Sequence, residues 1–174
     1  MTSAGKYGYL SPILPHELQE LYRLARSIWL PSFAPLFSEK ELVALYNGMY
    51  NDATLLSWMG SAGNHLFFIC MQADAKSRRI GYLGISIQAP LLYIDKIYVH
   101  PDQQGRGIGL AVMEEAERRG QNAGCTSSQL RVNRGNKKAI KFYESMGYQI
   151  EKEIDLPAPS GYTYSDFVMC KALC

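Results

Sequence analysis

The stretch that decides the fold is Leu91–Leu110, LLYIDKIYVHPDQQGRGIGL. Its first part, Leu91–Val99, is mostly aliphatic, β-branched or aromatic, which predicts a strand. His100–Gln104 predicts a turn, Gly105–Gly109 is a glycine-rich loop, and Leu110–Asn122 predicts a helix. A strand, a glycine loop and a helix N-terminus in this order can hold a phosphate, because glycines let the backbone approach the ligand and the first helical N–H groups point towards it.

The spacing of the glycines narrows the choice of ligand. A P-loop needs a Lys-Ser/Thr pair after its last glycine, and a dinucleotide loop needs G-x-G-x-x-G. Neither pattern is present, and what remains is Gln104-x-x-Gly107-x-Gly109 behind Val99-His100-Pro101. The structural alternative is an ordinary glycine-rich turn between a strand and a helix.

Length and composition limit the class of protein. A chain of 174 residues suits one domain, so we expect residues 1–174 to form a single domain. The net charge of +2, from 18 basic and 16 acidic side chains, argues against a nucleic-acid-binding face. The four cysteines form no C-x-x-C pair, so we expect no metal site and a cytoplasmic location. No apolar run approaches the roughly 18 residues that span a bilayer, so we expect no membrane association.

Periodicity and turn residues predict the other elements in chain order. The other predicted strands are Tyr7–Leu10, His65–Ala73, Ile80–Gln88, Ser127–Val132, Tyr148–Leu156 and Tyr162–Leu173. The first predicted helix begins at Pro15 and ends where Pro31 interrupts the chain, and the others are Glu39–Asn47, Asn51–Met59 and Asn136–Met146. The capping box Ser38-x-x-Glu41 marks the start of the helix Glu39–Asn47. The successive strands His65–Ala73, Ile80–Gln88 and Leu91–Val99 predict an antiparallel meander. The helix between Leu91–Val99 and Ser127–Val132 predicts that these two strands pair in parallel through a right-handed crossover. In the helix after the glycine loop, Ile108, Val112 and Ala116 mark the buried face. Its predicted solvated face carries Glu114, Glu115, Glu117, Arg118 and Arg119.

A second motif lies downstream in Leu130–Tyr148, LRVNRGNKKAIKFYESMGY. Asn136 and Tyr143 are two helical turns apart and share one face, which Ala139 keeps slim between them. Such a groove suits an extended ligand, with an amide at one end and a phenol at the other. The structural alternatives are capping by Asn133 and Asn136, and a core position for Tyr143.

The two motifs, in this order and at this distance, resemble the signatures of the GNAT acetyltransferase superfamily. The resemblance implies an α+β fold with a mixed, mostly antiparallel sheet and helices on both faces, and acetyl-CoA as cosubstrate. It implies cofactor-binding roles for Ile97, Tyr98, Val99, Gln104, Gly105, Arg106, Gly107, Ile108, Gly109, Leu110, Asn133, Asn136, Ala139 and Tyr143.

The resemblance also implies a reaction, the direct attack of an amine on the thioester. By position, the Val99 N–H would donate to the carbonyl oxygen, and Tyr143 would be the general acid for the leaving thiolate. Asp95, the carboxylate of the Leu91–Val99 strand, is the candidate base, with an ion pair to Lys96 or a role as ammonium anchor as alternatives. His100 is a weaker candidate.

The acceptor is predicted from looser matches. The region around Trp29 and Tyr50 and the ending Asp166–Lys171 resemble bacterial spermidine/spermine N-acetyltransferases of the PaiA kind, which makes Trp29, Tyr50 and Asp95 the expected substrate-binding residues. The expected acceptor is a polyamine or similar small amine. Protein or peptide N-acetylation, acetylation of an amino acid or drug amine, and a non-catalytic CoA-binding regulatory module remain open. A homodimer could form through an edge strand such as Tyr162–Leu173.

Overall fold

The computed structural model describes residues 8–73, 76–157 and 161–173 and contains a seven-stranded sheet. The strands are β1 (Tyr9–Pro12), β2 (Asn64–Ala73), β3 (Lys76–Gln88), β4 (Leu91–Val99), β5 (Ser127–Asn133), β6 (Gln149–Pro157) and β7 (Thr163–Ala172), and their order in the sheet is β1-β2-β3-β4-β5-β7-β6. The helices are α1 (Leu18–Phe33), α2 (Glu39–Met49), α3 (Asp52–Gly60), α4 (Ile108–Asn122) and α5 (Lys137–Ser145), with short 3-10 turns at Pro15–Glu17 and Pro101–Gln103. Only β4 and β5 pair in parallel within this sheet, so the predicted mixed, mostly antiparallel α+β fold is confirmed.

Each face of the sheet has its own hydrophobic core. Helices α1, α2 and α3 cover one face, where Leu21, Ile28 and Leu45 pack against Phe68 and Tyr82 of the strands. Helices α4 and α5 cover the other face with residues that include Val112, Ala116 and Ile140. The prediction of helices on both faces is therefore confirmed, and the sheet lies between two apolar layers.

The centre of the sheet opens where β4 and β5 part. These strands pair only over Leu91–Ile94 and Ser127–Leu130, although β4 continues to Val99 and β5 to Asn133. The parting begins at a β-bulge, because Ile94 and Lys96 have partners on β3 while Asp95 between them has none. A bulge bends the strand and increases its twist. The free halves of the two strands therefore form the walls of a cleft.

Helix α1 does not stop at Pro31, as the sequence predicted, but continues to Phe33. Proline inside a helix costs about 3 kcal/mol because it lacks an N–H and its ring clashes with the preceding turn. Here Pro31 is on the exposed side, while Ile28, Trp29 and Phe33 are buried on the face that packs against the sheet. Burial of that face favours the continued helix.

Strand β3 begins four residues before the predicted start at Ile80. Side-chain contacts with neighbouring elements stabilise the last residue of that polar extension, Arg79. Arg79 lies over the Phe68 ring at 3.9 Å and forms ion pairs with Glu17 and Glu20. Strand β1, predicted from Tyr7, runs from Tyr9 to Pro12, and Tyr7 lies outside the described residues.

Two further expectations are wrong. Glu117 is not on the solvated face of α4, because it is buried and accepts hydrogen bonds from Lys171 Nζ at 2.7 Å and from Tyr148 Oη at 3.1 Å. Strand β7 is not an edge strand, because it pairs with β5 on one side and β6 on the other. The predicted strand Tyr162–Leu173 therefore has no free edge for a dimer, and the edge on that side of the sheet belongs to β6.

Candidate active site

The parted strands form one wall of a cleft of about 760 Å³ that the glycine loop and α5 complete. Twelve of the fourteen predicted cofactor-binding residues line it: Ile97, Tyr98, Val99, Gln104, Gly105, Gly107, Ile108, Gly109, Asn133, Asn136, Ala139 and Tyr143. The exceptions, Arg106 and Leu110, are exposed and are not lining residues. Folding thus brings two motifs that are about 30 residues apart to opposite sides of one cavity.

The glycine loop has the conformation that an anion site needs. Gly105 and Gly107 both have φ of +74°, a left-handed conformation that other residues adopt at a cost. Gly107 is the N-cap of α4, so the first N–H groups of that helix emerge at the loop. The loop is fixed to β4 and α5, since Gln104 Nε2 donates to the Val99 carbonyl at 2.9 Å and Gln104 Oε1 accepts from Lys138 Nζ at 2.6 Å. We call this pair of bonds the Gln104 clasp.

The Val99 peptide group faces the cleft. The next residue, His100, donates its backbone N–H to the Ile80 carbonyl of β3 at 2.7 Å. Alternate residues of an antiparallel strand bond to the same neighbour, so the Val99 N–H and carbonyl point away from β3. This is the orientation that a donor to a thioester oxygen would need. The ring of His100 lines neither this cleft nor the smaller cavity described below.

Tyr143 lies on α5 with its ring in the cleft, 9% exposed and edge-on to Tyr148 at 6.0 Å between centroids. Burial raises the pKa of Tyr143 above its ordinary value of 10.0. The phenol therefore keeps its proton even at alkaline pH and is a candidate proton donor.

The side-chain oxygens of Asn133 and Asn136 accept hydrogen bonds from backbone N–H groups, as the alternative interpretation of these residues as capping residues predicted. Asn136 is the N-cap of α5 and accepts from Ala139 N at 3.2 Å, and Asn133 accepts from Gly135 N at 2.8 Å. Both also line the cleft, where their amide NH₂ groups are the donors they can offer a ligand.

A second, smaller cavity of about 200 Å³ opens on the α1–α2 side of the sheet, and we call it the acceptor cavity. It contains all three predicted substrate residues, Trp29, Tyr50 and Asp95. Half of its lining residues are aromatic, namely Trp29, Phe33, Phe37, Tyr50, Tyr93, Tyr98 and Tyr164. It shares Phe33, Asp95, Tyr98, Arg131 and Asn133 with the cleft, so the two spaces meet at the parted strands.

The predicted substrate residues differ in what they can offer. Asp95 lines both cavities but forms an ion pair with Lys96, whose ammonium also lies 5.3 Å from the Trp58 ring centroid. Tyr50 is buried and its hydroxyl is hydrogen-bonded to that of Tyr82 at 2.5 Å. Trp29 stacks on Phe33 with 4.6 Å between centroids. Trp29 and Tyr50 therefore serve as apolar lining of the cavity, and Asp95 is the charged group among the three predicted substrate residues.

Sequence reasoning missed several residues that line the two cavities. Phe142 lines the cleft next to Tyr143, and a side chain at Gly109 would meet its ring at 3.4 Å. Gln103 is buried in the cleft wall, and its Oε1 has no hydrogen-bond partner in the described part of the chain. Arg131 and Asp166 reach the acceptor cavity from β5 and β7. No spacing links those two residues, because only strand pairing brings them together.

The described ranges also limit other classes of site. No helix in them combines the length and the apolar character needed to cross a bilayer. They likewise contain no group of three or more His, Cys, Asp or Glu side chains placed to hold a metal ion.

Comparison with known proteins agrees with this geometry. The model of the acetyltransferase (GNAT) family matches residues 18–148. The spermidine N(1)-acetyltransferase of Thermoplasma acidophilum is 26% identical over 135 residues, which are 78% of this chain and 84% of that protein. The crystal structure of the PaiA N-acetyltransferase from Thermoplasma acidophilum in complex with coenzyme A superimposes with a TM-score of 0.75 at 22% identity, over 94% of this chain and 98% of that one.

A GCN5-related N-acetyltransferase from Rhodopseudomonas palustris superimposes with a TM-score of 0.76 at 20% identity, and 96% of each chain is covered. At these identities the superpositions establish the fold, while the family match covers three quarters of the chain and both motifs. The chain therefore belongs to the GNAT acetyltransferase family.

Proposed function

We propose that the chain transfers the acetyl group of acetyl-CoA to the primary amine of a polyamine or similar small amine, by direct attack on the thioester. The observation that carries the proposal is the meeting of the two cavities. Tyr143 and the Val99 peptide group lie on the side of the cleft, and Asp95 and Tyr98 line both spaces. An amine in the acceptor cavity would thus reach a thioester in the cleft between β4 and β5.

The cleft supports acetyl-CoA as the donor. Backbone N–H groups at the start of α4, behind two glycines with positive φ, suit a pyrophosphate. The groove between the parted strands is lined by Ile97 and Ala139 and by the amides of Asn133 and Asn136, which suits an arm with alternating apolar and amide groups. Acetyl-CoA supplies the activated acyl group.

Each step of the transfer has a candidate residue. The Val99 N–H donates to the carbonyl oxygen as it gains negative charge. The neutral phenol of Tyr143 donates its proton to the departing sulfur. The amine, whose pKa is about 10, loses its proton to Asp95 directly or through water before it attacks.

The acceptor cavity supports a small amine. The faces of aromatic rings attract ammonium groups, and carboxylates form ion pairs with ammonium groups. The acceptor cavity is lined by both kinds of side chain. The name of the Thermoplasma relative, a spermidine N(1)-acetyltransferase, agrees with an acceptor of this kind.

The test is an amine panel with acetyl-CoA, in which released CoA thiol is followed with a thiol reagent. The panel contains spermidine, spermine and a short peptide with a free N-terminus. We expect thiol release with the polyamines to exceed release with the peptide. Preference for the peptide would assign the chain to protein acetylation. Tight CoA binding without turnover of any amine would make it a non-catalytic module.

A further inference from the structure

The acceptor cavity contains a second carboxylate, Asp166 of β7, which is not among the predicted substrate-binding residues. Asp166 pairs in register with Asn133 of β5, which lines both cavities. The residue is only 7% exposed. A carboxylate buried to that degree is unusual unless a partner compensates for the water it has lost.

The two carboxylates of the cavity differ in how closely a cation partners them. Asp95 is in direct contact with Lys96 Nζ. Asp166 forms its ion pair with Arg131, at 3.8 Å between Nε and Oδ2, which exceeds hydrogen-bond distance. The Arg131 side chain is 37% exposed, so it can turn towards water. Burial raises the pKa of Asp166, and the neighbouring Arg131 and Arg134 only partly oppose this effect. An added cation in the cavity would therefore find Asp166 incompletely paired.

Tyr98 shows that Asp166 belongs to the same site as the reacting groups. The ring of Tyr98 lines both cavities. The pKa of Tyr98 is raised by burial first, then by the nearby Tyr143 phenol and by the carboxylates of Asp95 and Asp166. Tyr143 lines the cleft and Asp166 lines the acceptor cavity, so the Tyr98 ring lies where the spaces that hold these two groups meet.

We propose that Asp166 binds a second cationic centre of the acceptor while the reacting amine lies beside Asp95. The acceptor is then a diamine or polyamine in preference to a monoamine of the same length. This inference rests on the proposed function and adds a specificity-determining residue to it. The aromatic side chains that line the same cavity favour a cationic alkyl chain. Arg131 is the group that the incoming ammonium displaces from Asp166.

The test compares 1,4-diaminobutane with 1-aminobutane at pH 8, on the wild-type chain and on Asp166→Asn. The matched control is Glu153→Gln, on the adjacent strand β6 with its side chain 62% exposed. Titration calorimetry measures amine binding, and thiol release from acetyl-CoA gives kcat and KM separately. We expect the wild type to prefer the diamine and Asp166→Asn to reduce that preference about tenfold or more through KM. The Glu153→Gln control should keep the wild-type preference.

A second variant gives an effect of opposite sign. Arg131→Gln removes the competing cation from a half-exposed position, so diamine binding should strengthen severalfold. Weaker diamine binding in this variant would overturn the proposal. So would equal losses for both amines in Asp166→Asn, or a wild type that does not distinguish them.

Calorimetry also separates this inference from the proposed function. Diamine binding that depends on Asp166, without thiol release, would support the inference and contradict the acetyl transfer. Thiol release with amines but no dependence on Asp166 would do the reverse.

Discussion

At the scale of single residues, the environment of Tyr143 decides what it can do. Its hydroxyl keeps the proton into the alkaline range, because burial penalises the charged form and raises the pKa above its ordinary value. Its ring is held edge-on by Tyr148, whose own hydroxyl bonds to Ser128 at 2.7 Å and to Glu117. The structure thus gives Tyr143 the protonated hydroxyl and the fixed ring that the proposed acid role requires.

Substitution of Tyr143 by Phe tests the acid role. We expect kcat to fall by about 10²-fold or more, because the thiolate then leaves without a positioned donor. The KM for acetyl-CoA should change little, since the ring stays in place. Steady-state kinetics with varied acetyl-CoA provide the measurement, and Tyr9→Phe on the exposed edge strand β1 is the control. An unchanged kcat would remove Tyr143 from the acid role.

The raised pKa of Tyr143 also predicts a pH profile. In the proposed acid role the phenol acts only in its protonated form, which persists above the ordinary tyrosine pKa of 10.0. The amine is active only without its proton, so kcat/KM for the amine should rise from pH 7 towards about 10. We expect no falling limb in kcat below about pH 10, as measured in buffers of constant ionic strength. A fall in kcat centred near pH 8 or 9 would contradict the assignment.

At the scale of elements, the Gln104 clasp connects the glycine loop to α5. Lys138, in the first turn of that helix, donates a hydrogen bond to the Gln104 side chain. Gln104 in turn donates to the Val99 carbonyl at the end of β4. The bond also places an ammonium group beside the loop where a pyrophosphate would bind. Two motifs that are distant in sequence are thus coupled at the mouth of the cleft.

Replacement of Lys138 by Gln should therefore weaken acetyl-CoA binding. We expect KM for acetyl-CoA to rise about three- to tenfold, because a charged partner for phosphate is lost, with a smaller change in kcat. Lys141→Gln is the matched control, an exposed lysine of the same helix that lines neither cavity. The KM effect should also diminish at high salt, as screening predicts. Equal effects of both substitutions would indicate a general loss of positive charge.

At the scale of the whole molecule, buried polar groups join the layers. Glu117 of α4 accepts from Lys171 of β7 and from Tyr148, which bonds to Ser128 of β5. The network therefore fixes α4 to the sheet on the side opposite α1. It also explains why an acidic residue occupies a buried position of that helix.

Glu117→Gln tests this network. The substitution keeps the shape but leaves the Lys171 ammonium without its carboxylate. We expect the free energy of unfolding to fall by about 2 kcal/mol. Urea denaturation measures it, with Glu114→Gln on the exposed face of α4 as a control that should change stability by less than about 0.5 kcal/mol. A loss no larger than that of the control would show that the network adds no stability.

The sequence by itself determined the elements, the strand order of the central units and most of the cleft lining. The elements follow from hydrophobic periodicity and turn residues, and the cleft lining follows from the resemblance of two local motifs to the GNAT signatures. Leu91–Val99 is a strand with the predicted bounds, and Ser38 caps α2 in the predicted capping box.

The tertiary structure alone decided the course of α1 past Pro31, the burial of Glu117, the inner position of β7 and the place of Asp166 in the acceptor cavity. Each of these features depends on tertiary contacts between elements that are distant in sequence. Burial of an apolar face outweighs the cost of a proline, and the pairing of β5 with β7 joins residues 33 to 45 positions apart in sequence. Such pairings leave no mark in local spacing, because they are set by the packing of the whole sheet.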